Sequence, residues 1–191
     1  MTAYPQPMRL RFTVDEFYKM FELGFIKDYE HAEIIDGELI KKMSIGDLHA
    51  AIVDFLNEFF VKNVPGKVRI RVQNPVRLSD YHEPEPDLAL TDLTKYDGRR
   101  HPRPSEILLL VEVSDSTVEY DRNRKLPLYA EAEIPEVWLV NVQNETVEIH
   151  TRPRGGIFSL IRVLRSGDTI QSEIVPSLEI EVDKILLKSQ T

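Results

Sequence analysis

Two carboxylates stand in stretches that otherwise read as buried strands: Asp87 in Pro86-Asp87-Leu88-Ala89-Leu90, and Glu112 in Ile107-Leu108-Leu109-Leu110-Val111-Glu112-Val113. A charge in such a run is costly unless something compensates it. A lysine, Lys125, follows shortly after the second carboxylate. Any fold that accepts this sequence must bring compensating groups to two points of its central sheet.

Strand alternation refines the picture. Asp87 and Ala89 point to one side of their strand, and Leu88 and Leu90 to the other. Glu112 and Ser114 share a face opposite Val111 and Val113. If the two strands pair, both carboxylates can reach one Mg²⁺ or Mn²⁺, hard ions that prefer oxygen. The backbone carbonyl of Val113 is a further candidate ligand. Such an ion polarises a phosphoryl oxygen and lowers the pKa of a bound water. Lys125 would orient or activate that water and stabilise developing negative charge. The set suits phosphodiester hydrolysis.

The 191 residues fit one domain with a substantial core, and 42% hydrophobic with 29% charged residues is ordinary for a globular protein. No cysteine is present, so metal ligands must be carboxylate, histidine or carbonyl. A net charge of −8 argues against a general nucleic-acid coat but leaves room for an enzyme whose metal site needs acids. There is no apolar run of about 18 residues to span a membrane. Met1 to Pro5 lacks the basic and apolar regions of a signal peptide, so a cytoplasmic location is expected.

Local signals give the order of elements. Thr13-x-x-Glu16 is a capping box for a helix running to about Leu23, with Gly24 as its stop. Asp36-Gly37 between apolar flanks predicts a hairpin pairing Glu33 with Ile40. A second helix begins near Asp47, a possible N-cap, and ends before Pro65; His49 lies on its apolar stripe with Ile52, Val53, Leu56, Phe59 and Phe60. Strands follow at 67–72, 85–91 and 107–114. Ser116-x-x-Glu119 predicts a helix to Ala132, kinked or restarted at Pro127. Val137 to Val140, Thr146 to Thr151 and Ile157 to Val163 read as further strands. The expected class is mixed α/β (α+β), with a central sheet, flanking helices, an N-terminal helix and hairpin, and a C-terminal strand meander.

Pro86-Asp87, Glu112-Val113-Ser114, Asp121-x-x-x-Lys125-x-x-x-Tyr129 and Ile134-Pro135-Glu136-Val137-Trp138-Leu139-Val140 together resemble the PD-(D/E)xK restriction-endonuclease-like superfamily. Within it the chain resembles the Uma-type endonucleases, a bacterial family expanded in cyanobacteria. Glu33-x-x-Asp36-Gly37 and His49 also match that pattern. The resemblance implies a Mg²⁺- or Mn²⁺-dependent DNA endonuclease that acts as a homodimer. Asp87, Glu112 and Lys125 would be its catalytic set, with Glu33, His49, Asp121 and Tyr129 as further site candidates. Ser114 departs from the superfamily, which usually has lysine there; Lys125 would be the migrated equivalent.

Simpler readings stand beside these. Asp87 could end a loop after Pro84 and Pro86, and Glu112 could be the first exposed residue after its strand. Lys125, four residues after Asp121, has the spacing of an exposed helix salt bridge. His49 could be a satisfied core histidine, and Glu33 a ligand, a hydrogen-bond partner or simply the mate of His49. Tyr129 reads as a packing residue with a tethered hydroxyl. Lys67, Arg69 and Arg71, with Arg99 and Arg100 of the Arg99-Arg100-His101-Pro102-Arg103 loop, form either a solvated face or a phosphate-tracking surface. A non-catalytic binding or assembly protein with the same fold is the alternative, favoured by Ser114 and the acidic charge.

Overall fold

The computed structural model describes residues 10–27, 32–42 and 46–188; Met1 to Pro5 lie outside them. Helix α1 (Val14–Glu22) begins where its capping box predicts. The Thr13 hydroxyl accepts from the Glu16 N–H at 3.2 Å, and Glu16 accepts from the Thr13 N–H at 2.8 Å. Hairpin strands β1 (Ala32–Ile35) and β2 (Glu38–Lys41) pair Glu33 with Ile40, as the turn sequence implies. Asp36 and Gly37 take φ of 57° and 70°, the double left-handed turn that Asp-Gly favours.

Helix α2 (Asp47–Asn63) buries Ile52, Val53, Leu56 and Phe60 against one face of the main sheet. Its N-cap is Gly46 rather than Asp47, which instead sits in the first turn, where a carboxylate suits the helix dipole. Strand β3 (Val68–Val72) runs antiparallel to β4 (Leu88–Asp92), which starts later than the expected Glu85. The reason is local: the Glu85 N–H donates to the Glu33 carboxylate, and Pro86 has no N–H to give a ladder. Asp87 therefore stands at the mouth of its strand, not inside it.

Strand β5 (Ile107–Ser114) is antiparallel to β4 and parallel to β6 (Glu136–Asn141). A parallel pair needs a crossover, supplied by α3 (Val118–Tyr120), a π-turn (Asp121–Lys125) and α4 (Leu126–Glu131). The Ser116 capping box does not form. Thr117 is the N-cap, its hydroxyl goes to Asp121, and Glu119 pairs with Arg122 instead. Pro127 explains the wide turn: its ring crowds the carbonyl four residues back, at Asn123 within the π-turn, and the chain restarts as α4.

Strands β7 (Thr146–Arg154) and β8 (Ile157–Leu164) complete a six-stranded sheet of order β3-β4-β5-β6-β7-β8. Strands β9 (Thr169–Gln171) and β10 (Glu179–Glu181) pair separately and lead into α5 (Val182–Ile185). One sheet face, including Leu90, Val111 and the fully buried Trp138, packs on α2 and α5. The other, including Ala89, Leu110 and Leu139, packs on Leu126, Tyr129 and Ala130 of the crossover. Each fully buried aliphatic side chain of these layers is worth about 1.5–3 kcal/mol. This is the mixed sheet flanked by helices that the sequence predicts. No helix among the described residues is long and apolar enough to cross a membrane.

Candidate active site

Glu112 emerges beside Leu110 and Ser114 on the crossover face, opposite Leu139 of β6. Apolar packing of the crossover helix fixes what it meets there. Leu126 and Ala130 bury against the sheet, and this carries Lys125 and Tyr129, one helical turn apart, onto Glu112. The Lys125 ammonium lies 3.2 and 3.3 Å from the two Glu112 oxygens, and the Tyr129 hydroxyl donates to Oε1 of the same group. Lys125 also lies 3.1 Å from Glu33 Oε2 and 3.7 Å from Asp121 Oδ1. Glu33 thus pairs with Lys125 and not with His49.

Asp87 is held by another set. The Val113 N–H donates to Oδ2 at 2.8 Å, His49 Nε2 lies 3.1 Å from the same oxygen, and Gln73 donates to Oδ1 at 3.3 Å. The first turn of α2 puts the half-buried His49 at the end of the sheet where β4 begins, beside Asp87. Val113 meets Asp87 through its amide; it lines the cavity beside Glu112.

These groups border one cavity of about 380 Å³, which Glu33, His49, Asp87, Glu112, Asp121 and Lys125 all line. Four buried carboxylates there surround one buried ammonium. Burial pushes the Glu112 carboxyl up to about 8, helped by Asp121, Asp87 and Glu33 and opposed by Lys125. Burial also raises Asp87, but the His49 contact, the Lys42 charge and the Val113 amide outweigh it and hold the group below its usual range. Burial disfavours the Lys125 charge, yet Glu112, Glu33, Asp121 and Asp87 keep the ammonium well above its ordinary pKa. With those carboxylates around it, Lys125 is held as an ammonium. Burial and the Glu112 charge push the Tyr129 phenol well up, so it remains a donor.

Sequence reasoning missed several members. Lys42 lines the cavity and donates to the Glu85 carbonyl at 3.0 Å and to its carboxylate at 3.2 Å. Ser114 and Thr117 donate to Asp121 Oδ2. Tyr120 lines the cavity with a hydroxyl that has no partner among the described residues, and its pKa is pushed up to about 12 by burial and Glu33. Only the alternation Glu83-x-Glu85-x-Asp87 gave a signal for Glu85; the others are lone polar residues in polar surroundings.

The basic residues singled out in the sequence do not line this cavity. Arg69 and Arg71 lie over the Tyr96 ring at 6.0 and 5.8 Å from its centroid, and Arg71 donates to its hydroxyl. Arg100 makes a two-pronged pair with Glu106 at 2.9 and 2.6 Å. Lys67 and Arg99 are exposed.

The donor set matches a hard divalent cation in kind, since it offers carboxylate oxygens with more negative charge than Lys125 balances. Among the described residues no three His, Asp or Glu side chains stand as a ready cage. Mg²⁺ sites commonly use one or two carboxylates, with water and substrate phosphate supplying the rest; Asp87 and Glu112 both line this cavity.

Comparison with solved structures finds the crystal structure of a putative nuclease of the DUF820 group from Anabaena variabilis ATCC 29413. The two share 17% identity over 92% of this chain and 97% of that one, with a TM-score of 0.67, which establishes a shared fold. Comparison with the curated proteins gives no match. Residues 14–183 match the family Uma2, described as "Putative restriction endonuclease". That match spans the sheet, the crossover and every residue of the cavity described above, and the chain belongs to the Uma2 family.

Proposed function

We propose that this protein is a divalent-metal-dependent endonuclease that hydrolyses DNA phosphodiester bonds. The observation carrying this reading is the buried contact of Lys125 with both Glu112 oxygens, in the cavity that Asp87 also lines. Asp87 and Glu112 would hold Mg²⁺ or Mn²⁺, with the Val113 carbonyl as a further ligand. When bound, the cation supplies Lewis-acid polarisation of the phosphoryl group and a more acidic water.

The chain's own groups do the rest. The Lys125 ammonium would orient the attacking water and stabilise charge on the phosphoryl group, and the proton of that water, made more acidic by the cation, would leave to bulk solvent. Tyr129 holds Glu112 Oε1, while His49 and the Val113 amide hold Asp87 Oδ2. Glu33 and Asp121 keep Lys125 charged and in place. A duplex presents two strands, so two copies acting as a homodimer would cut both.

The test is cleavage of plasmid or oligonucleotide DNA with Mg²⁺ or Mn²⁺, comparing the wild type with Asp87→Asn, Glu112→Gln and Lys125→Ala. Loss in all three supports the reading; equal activity in all four proteins refutes the site.

A further inference from the structure

A second cavity, of about 290 Å³, is lined by Tyr18, Arg77, Glu83, Arg100, His101 and Arg103, none of which borders the first. Its floor is a buried acid already spoken for. Tyr18 donates to Glu83 Oε1, and His101 Nδ1 lies 3.1 Å from Oε2. Arg100 is locked on Glu106. The two remaining guanidiniums differ. Arg103 is exposed and makes no ion pair among the described residues. Arg77, with only 16% of its side chain exposed, is matched by Asp15 and Asp80, which are 83% and 81% exposed. Carboxylates so open to solvent hold a guanidinium weakly and can swing aside for a stronger acceptor. Arg77 itself is fixed, since its Nε–H also donates to the Ser79 carbonyl at 2.8 Å.

The position of this cavity gives it meaning. Glu83, Glu85 and Asp87 are alternate residues of one short segment. Glu83 borders the arginine cavity, Glu85 binds Lys42 of the first cavity, and Asp87 lines the first cavity itself. Four residues span at most about 14 Å, so both cavities lie within the reach of one nucleic-acid strand. We infer that the Arg77–Arg103 cavity is a phosphate subsite that grips the backbone of the DNA strand a short way from the bond in the first cavity. This rests on the nuclease reading. It also gives an acidic protein a local cationic hold on DNA.

The experiment is fluorescence anisotropy of a fluorescein-labelled DNA duplex across a salt series without divalent metal, on the full chain. Wild type, Arg77→Ala, Arg103→Ala and the charge-keeping Arg103→Lys are compared, each checked by thermal melting. Losing one phosphate contact should weaken binding several-fold and flatten the slope of log affinity against log salt by about 0.9, with Arg103→Lys near wild type. Unchanged slopes in both alanine variants, or no duplex binding by the wild type, would overturn the subsite. So would protection by inorganic phosphate alone in melting experiments without duplex binding, which would mark a free-anion site. The two proposals fail separately: cleavage that depends on Asp87 with unchanged slopes removes only the subsite, and flattened slopes without cleavage remove only the hydrolase.

Discussion

Lys125 donates to both oxygens of Glu112, thirteen positions earlier in the sequence, and both side chains are buried. The pair is not self-sufficient, because Glu33 and Asp121 crowd the same ammonium. Removing the amine therefore strands three carboxylates. Lys125→Met is expected to destabilise the metal-free protein by about 3–5 kcal/mol in chemical denaturation, as breaking a buried ion pair does. Added Mg²⁺ should recover more stability in this variant than in the wild type.

Glu112 gives a pH dependence of definite sign. Its pKa is raised from 4.5 to about 8 in the fold, so the native state binds more protons than the unfolded chain between those values. Its stabilising contribution is complete below pH 4.5 and is lost as pH rises through 8. In EDTA the melting temperature of the wild type should fall more steeply from pH 5 to 9 than that of Glu112→Gln. Urea melts over the same range should show the corresponding difference in unfolding free energy, on the order of a few kcal/mol.

Glu148 has the opposite sign. The His150 contact first, and then Arg122, hold its pKa down to about 2 against partial burial. That stability is present above pH 4.5 and disappears as pH falls through 2. Glu148→Gln is expected to cost about 1 kcal/mol at neutral pH, after discounting for solvent screening. The two proteins should converge in urea melts as the pH approaches 2.

Tyr129→Phe removes one oxygen atom and the donor on Glu112 Oε1. Groups that orient a metal-holding carboxylate typically carry 10–100-fold in affinity or activity. Cleavage should drop by about that range while circular dichroism remains that of the wild type.

Much of this architecture could be read from the chain because local and long-range demands agree. Thr13-x-x-Glu16 and Asp36-Gly37 specify their cap and turn without outside help, and the turn fixes which residue faces Glu33. Asp87 and Glu112 stood out because apolar neighbours made their charges conspicuous. Lys125 did not on its own: its spacing from Asp121 is that of any surface pair, and only its pairing with Asp87 and Glu112 lifted it. Lys42, Tyr120 and Gln73 carry no local signal, since their meaning comes from convergence in space. The Ser116 cap failed for a related reason, as Asp121 claims the nearby Ser114 and Thr117 hydroxyls for itself.

A crystal soaked in Mn²⁺ and measured at an anomalous wavelength puts the proposed chelation by Asp87 and Glu112 to the most direct proof. One scattering peak should appear within bonding distance of carboxylate oxygens from both Asp87 and Glu112, with the Lys125 amine facing it. A cavity without a peak under saturating Mn²⁺, or an ion bound elsewhere with that amine turned to solvent, would contradict the hydrolytic site.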